Sequence, residues 1–430
     1  MDKKNLKEKI INYRRDIHKY AESRWREFRT TAKIVRELKQ LGFDIKMGKE
    51  IIEPSKCVGR PPEEQIKKEE KRAIKQGAEP EIIDKLKGYT GVVATWDTKK
   101  KGPQVAFRFD IDALDGEESK DEDHRPLKKG FKSVNNATHS CGHDGHTAIG
   151  LGLAHLIKEN SDKLNGKIVL IFQPSEEGGS GAEAMLAGGV EADFDSFYAL
   201  HLSLIYKDGK SMPTGLIAGG CNDFLDNRRY DVYFEGKSAH PGGAAQKGKN
   251  ALLAACNAAL NLHAIAPHDD GLMRVNAGQL NAGVARNVIA PEAKLVIEAR
   301  GENDDIAEYV ERRSREVIKG AAAMYDVEYT MEPMGITPSA SSDEEAIAQV
   351  EKAVSEIDEF TDFIPLGNVG GSDDAASWMR KVQKNGGKAT YIGIGADSTA
   401  SLHNNKFDFD ESVLYPASEM LFRLIKLSKK

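Results

Sequence analysis

Lys167-Ile168-Val169-Leu170-Ile171-Phe172-Gln173-Pro174-Ser175-Glu176-Glu177-Gly178-Gly179 begins as a continuous apolar run and breaks into two adjacent carboxylates within a Pro/Gly turn. An unbroken run of β-branched and large apolar residues reads as a strand buried on both faces, the signature of an open α/β sheet. Such sheets gather ligands at the carboxyl ends of their strands, where Glu176 and Glu177 stand. Further runs at Gly91–Trp96, Gln104–Phe109 and Phe197–His201 alternate with helical patterns, one predicted from about Thr147 to Lys158. Asp110 and Asp112 follow one of these strands, and His201 closes another.

Outward from this core the rhythm changes twice. Upstream, Leu6, Ile10, Ile17 and Tyr20, then Ile34, Val35, Leu38 and Leu41, fall on helical faces, with Gly42 placed to end the second helix. From Glu63 to Lys87, 14 of 25 residues are charged, so this stretch is expected to be a solvated helical insertion packing on one thin apolar stripe. Downstream, strand (Arg229–Phe234), helix (Lys249–His263), two strands (Met273–Leu280, Ala293–Ala299), helix (Asp305–Ala323) and strand (Val327–Glu332) follow in the order βαββαβ, which fits a ferredoxin-like module. A helix near Asp343–Ile357, a strand at Ala389–Gly395 and a helix near Val413–Leu427 return to α/β texture. The expected partition is a discontinuous α/β domain, 1–219 and 333–430, interrupted by the module at 220–332.

The 430 residues exceed what one core usually supports, in keeping with two domains. Lys and Arg total 61 against 67 Asp and Glu, a formal charge of −6 with both signs interspersed, which gives no basic stripe for nucleic acid. No run of apolar residues is long enough for a membrane span, and no secretory signal opens the chain, so a cytoplasmic protein is expected. Cys57, Cys141, Cys221 and Cys256 lie scattered, without the pairing of a disulfide framework or zinc ribbon.

The densest chemistry is His139-Ser140-Cys141-Gly142-His143-Asp144-Gly145-His146. Thiolate and imidazole suit transition metals, and a glycine between them lets both approach one ion. Taken alone, this loop reads first as a turn with a satisfied histidine and an EE pair as ordinary surface, while His201 reads equally as a core histidine. Together with His403 in Ser401-Leu402-His403-Asn404, five candidate ligands, Cys141, His143, Glu177, His201 and His403, fall at strand ends or loops of one domain. Five exceed one open tetrahedral site, so two ions sharing a bridging ligand or hydroxide is the economical reading.

The ordered elements Phe109–Asp115, His139–Ala148, Phe172–Gly178, Ser238–Gly243, Ala285–Ala293 and Leu402–Glu411 resemble the amidohydrolase branch of the M20 metallopeptidases over essentially the whole chain, charged insertion included. That resemblance implies a catalytic domain holding two divalent ions, Mn²⁺ first, with Zn²⁺ or Co²⁺ also accepted, and an inserted lid that mediates dimerisation. It implies Cys141, His143, Glu177, His201 and His403 as ligands, Glu176 as general base and Asp112 as an orienting carboxylate, with Asp110 unassigned. From the lid it implies His240 at the developing oxyanion, Asn287 and Arg300 on the substrate carboxylate, and Arg286 on a second carboxylate. The implied reaction is hydrolysis of an amide between an aromatic acyl group and an amino acid, p-aminobenzoyl-glutamate first, in folate catabolism. Alternatives are an N-acyl-amino-acid amidohydrolase of hippurate or auxin-conjugate type, and a non-catalytic, metal-stabilised partner. A homodimer, or a heterodimer with a homologous second chain, is expected. Two departures stand out: Pro241–Lys247 is rearranged from the commoner pattern, and in Val369–Asp374, which ends Ser372-Asp373-Asp374, an aspartate stands where a glutamate is usual.

Overall fold

The computed structural model describes residues 2–428. Eight strands form one sheet in the spatial order Asp44–Met47, Val92–Asp97, Lys167–Gln173, Gln104–Asp110, Ser196–Leu202, Lys388–Ile394, Leu216–Asn222 and Asp362–Asn368. Its central four strands are mutually parallel, and antiparallel pairs join them to the flanks. Asp110, Gln173 and Leu202 therefore end neighbouring strands on one edge of the sheet, and the chain after Ile394 leaves from that edge too.

Helix His143–Glu159 lies against the centre of this sheet, between it and the helices Lys3–Lys19 and Leu414–Leu427. Close approach requires glycine: a Cβ on Gly150 would stand 2.7 Å from the Phe109 ring. Phe197 and Tyr198 are adjacent in their strand and so face opposite sides. Tyr198 stacks with Phe107 at 5.4 Å on the helix 143–159 side, while Trp378 of helix Ala375–Lys384 stacks on Phe197 at 6.3 Å. Both faces are thus covered, as parallel strands require.

The first two predicted helices form at Lys3–Lys19 and Phe28–Leu41, and Gly42 ends the second in the left-handed region, φ 92°. The charged insertion folds as helices Glu63–Lys75 and Pro80–Leu86 and buries only Ile66, Ala73, Ile83 and Leu86 from them. Three strands carry no clear signal in sequence. Asp44–Met47 is four residues long, Leu216–Asn222 contains two glycines, and Asp362–Asn368 holds Pro365, tolerated because this strand forms the sheet edge.

The second compact unit is Phe224–Ser339; the first runs to Asp223 and resumes at Ala340. The expected boundaries at 220 and 332 fall inside two strands, since Leu216–Asn222 pairs in the large sheet and Glu328–Thr337 continues to Thr337. In this unit the antiparallel strands stand in the order Met273–Ala282, Glu292–Gly301, Asp226–Glu235 and Glu328–Thr337, with helices Ala251–Leu262 and Asp304–Met324 packed on them. This is the split βαββαβ order of a ferredoxin-like module. Among the described residues no helix is long and apolar enough to cross a membrane, and all four cysteines are unpaired.

Candidate active site

The loop before helix His143–Glu159 turns at Gly142, φ 86°, so that Cys141 precedes the helix and His143 opens it. His143 is fully buried. Its Nδ1–H donates to the Asp112 carbonyl at 2.9 Å, and its Nε2 makes no hydrogen bond, with carboxylate oxygens of Asp110 and Glu176 at 3.8 and 3.9 Å. His201 repeats the pattern: Nδ1–H donates to the Leu202 carbonyl at 2.7 Å, and Nε2 stands 3.4 Å from Cys141 Sγ. A ring whose Nδ1 is tied to a carbonyl presents Nε2 as a lone pair, the arrangement of a metal-ligating histidine. His403 Nε2 lies 3.6 Å from Glu177 Oε1, and the His403 backbone N–H donates to Ser140 O at 2.8 Å, pinning its loop beside Cys141.

These donors form two overlapping sets. Cys141, His143 and His201 place ligand atoms within 4.8 Å of one another, and so do Cys141, Glu177 and His403. Cys141 belongs to both, so its thiolate could serve either set. The electrostatics favour cations here. Burial, with Glu177 beside it, pushes the Cys141 thiol far up, and burial with Asp373 and Glu177 does the same to Glu176. Burial also drives Glu177 up to about 7. Such a concentration of acidic groups away from water is costly unless positive charge offsets it. The residues present therefore fit two divalent ions.

Asp112 meets His143 Nδ1 through its carbonyl at 2.9 Å and, more distantly, through Oδ1 at 3.6 Å. Its Oδ1 and Oδ2 accept the Glu176 and Glu177 backbone N–H groups at 2.9 and 3.1 Å, while its carbonyl holds the imidazole. The expected orienting role is thus divided between main chain and side chain. Asp110 takes 2.7 Å from Arg108 Nη1 on one oxygen and 2.5 Å from His146 Nδ1 on the other. His146 Nε2 accepts the Leu202 N–H at 3.0 Å, so this histidine of the motif braces the strand end that carries His201. Arg108, fully buried, also meets Asp374 at 2.7 Å and Asp373 at 3.1 Å. Asp373 accepts the Tyr391 hydroxyl at 2.5 Å and is itself 3% exposed; the shorter side chain at this position is used inside the protein. The only hint of Arg108 in the sequence is one charge inside an apolar strand.

The remaining candidates lie in the second unit. His240 is exposed, and its Nδ1 accepts the Gly242 and Gly243 N–H groups at 3.2 and 3.0 Å, which places the proton of the neutral ring on Nε2. The rearranged Pro241–Lys247 segment supplies those glycines. Asn287 and Arg286 are exposed in the loop between strands Met273–Ala282 and Glu292–Gly301. Arg300 lies within the latter strand, its Nε donating to Glu298 at 2.6 Å. The structure does not gather Arg286, Asn287 and Arg300 into one cluster of mutual contacts.

Sequence comparison assigns the class. Residues 106–427 match the model of peptidase family M20/M25/M40, and the chain belongs to that family; it is an M20-type hydrolase. Among its relatives, indole-3-acetyl-aspartic acid hydrolase of Enterobacter agglomerans is 44% identical over 97% of this chain and 95% of its own length. A p-aminobenzoyl-glutamate hydrolase chain of Escherichia coli strain K12, named as one subunit of that enzyme, is likewise 44% identical, over 97% of this chain and 95% of its own length. A crystal structure of the aminobenzoyl-glutamate utilization protein of Klebsiella pneumoniae superposes with a TM-score of 0.82 at 38% identity, covering 98% of this chain and 96% of that one.

Proposed function

We propose that the chain is a two-metal amidohydrolase that cleaves the amide between an aromatic acyl group and an acidic amino acid, with p-aminobenzoyl-glutamate as first substrate, in the cytoplasm. The observation that carries the reading is the pair of donor sets meeting at Cys141, with Glu176 beside them in a third group with His143 and Glu177. A purely structural metal site has no use for that extra carboxylate. Both relatives at 44% identity are named for an aromatic acid joined to aspartate or glutamate, which supports the substrate class.

Cys141, His143, Glu177, His201 and His403 would hold the ions, Mn²⁺ first and Zn²⁺ or Co²⁺ next. Bound ions supply Lewis acidity towards the amide carbonyl and acidify water. Glu176 takes the proton of the attacking water and returns it to the nitrogen of the departing amino acid. His240, from the lid of a second copy, donates its Nε2–H to the developing oxyanion. Asn287 and Arg300 hold the substrate carboxylate and Arg286 a second one. The lid module is the dimer element, in a homodimer or with a homologous second chain.

Identity to the indoleacetyl-aspartate hydrolase is equal, so an auxin-conjugate amidohydrolase is the second reading. Steady-state rates of the Mn²⁺-loaded chain on p-aminobenzoyl-glutamate, indole-3-acetyl-aspartate, benzoyl-glycine and acetyl-amino acids rank the substrates. Turnover of none of them by a chain carrying two ions would leave the non-catalytic partner as the surviving reading. Glu176→Gln should keep both ions and lose at least about 100-fold in kcat.

A further inference from the structure

Three consecutive backbone N–H groups of the turn that carries the two glutamates each end on a carboxylate oxygen. Asp112 takes those of Glu176 and Glu177. The third, from Ser175, goes to Glu27 Oε1 at 2.9 Å. Glu27 precedes helix Phe28–Leu41 without capping it; its buried side chain turns inward, and Oε1 also accepts the Trp25 N–H at 3.0 Å. Its other oxygen accepts the Thr90 hydroxyl at 2.7 Å. Ser175 needs such a hold, because its φ of 55° lies in the left-handed region, unfavourable for a residue with a Cβ.

Thr90 lies three residues past the charged insertion Glu63–Lys87, and the same corner is held by Val58, which precedes the insertion, and by Arg72 within it. Trp25 Nε1 donates to Val58 O at 2.9 Å, and Ser180 Oγ, beyond the glutamate turn, donates to the same oxygen at 3.3 Å. Arg72 of helix Glu63–Lys75 donates to Glu22 at 2.8 Å, and Glu22 in turn accepts the Arg29 and Thr30 N–H groups at 3.0 and 2.8 Å. The segment that carries most of the local charge is therefore tied to the loop that bears Glu27.

We infer that Glu27 is a positioning residue of the active site: it fixes Ser175 in its left-handed conformation, which sets Glu176 and Glu177, and Thr90 holds Glu27 in place beside the corner that Arg72 of the charged insertion grips. The inference rests on the reading of this turn as metal ligand and base, and it gives the insertion a purpose beyond solvation. Neither the ligand set nor the general base depends on Glu27 by contact; it acts through the Ser175 backbone.

The test compares Glu27→Leu, Glu27→Gln and Thr90→Val in the full chain by amide hydrogen exchange of the metal-free protein, Mn²⁺ binding and steady-state kinetics. Glutamine keeps one oxygen for the two backbone N–H groups and turns its NH₂ towards the Thr90 hydroxyl, which can accept. Exchange at Ser175–Gly179 should rise about 10-fold in Glu27→Leu, the equivalent of one lost hydrogen bond, and stay within about threefold in Glu27→Gln. Mn²⁺ affinity and kcat should fall by about 10-fold or more in Glu27→Leu with KM little changed, and recover in Glu27→Gln. Exchange in helix Leu414–Leu427 should be unchanged. Thr90→Val removes one of the three bonds at constant volume and should raise exchange about threefold; it carries the test if Glu27→Leu does not fold. Unchanged exchange in both Glu27→Leu and Thr90→Val overturns the inference, as does a Glu27→Gln as impaired as Glu27→Leu. Wild-type protein that binds no Mn²⁺ would sink the reading of the site, while the exchange result still judges the clamp.

Discussion

Replacing Asp112 by asparagine changes one atom at the most constrained point of the site. The carboxylate is fully buried and serves two parallel donors, Glu176 N at 2.9 Å and Glu177 N at 3.1 Å. An amide has one oxygen and one NH₂, so in either orientation one backbone N–H faces another donor. The substitution removes one charge-assisted hydrogen bond, about 1.5–3 kcal/mol, and leaves a buried N–H unsatisfied, about 1–3 kcal/mol. Relaxation of the turn recovers part of this, so a net cost of about 3 kcal/mol is expected, or roughly 150-fold in kcat if it is expressed in the placement of Glu176. The shorter hold on His143, 2.9 Å against 3.6 Å to Oδ1, runs through the Asp112 carbonyl, which asparagine retains. At saturating Mn²⁺, metal content by plasma mass spectrometry should therefore stay near that of wild type while kcat falls and KM changes little. A kcat within about threefold of wild type at normal metal content would show that the turn does not need both bonds, and the reasoning would fail.

Arg14→Met should destabilise the protein by about 3–5 kcal/mol in urea unfolding, because Arg14, fully buried, bonds Asp144 and Asp408 at 2.7 Å and Glu411 at 3.2 Å, and methionine strands those carboxylates. Acid should weaken the fold through Glu118. Burial disfavours its charge, but His18 and the Ser133 N–H outweigh that and hold it down at about 2, so its stabilisation is complete above its ordinary value near 4.5 and is lost as pH falls from there towards 2. Glu118→Gln should flatten the fall in melting temperature over that window, and an unaltered slope would count against the assignment. Chelation followed by dialysis should lower the melting temperature, and readdition of Mn²⁺ at 100 times its dissociation constant should restore about 2.7 kcal/mol for each site filled; a melting temperature indifferent to metal would contradict the donor geometry around Cys141.

Much of this protein is visible before it folds. The run Lys167–Phe172 marks a doubly covered strand, glycine at 42 ends a helix, and the charged stretch from Glu63 shows how thin its buried stripe must be, since each depends on near neighbours. The ligand types are legible for the same reason: Cys141 and His143 are two residues apart, and Glu176 and Glu177 share one turn. What neighbours cannot convey is which polar group meets which. Asp110 and Asp112 are alike in sequence, yet one faces Arg108 and His146 and the other faces two N–H groups of a turn more than 60 residues away. Glu27 looks like any acidic residue before a helix and becomes part of the site only because Ser175 and Thr90 arrive beside it. Sequence alone thus determined the elements and the chemical kinds of donor, through periodicity and local turn chemistry. The pairing of those donors was decided only when four parallel strands, drawn from positions 104 to 394, aligned their carboxyl ends, because hydrogen bonds and charge act over ångströms and not along the chain.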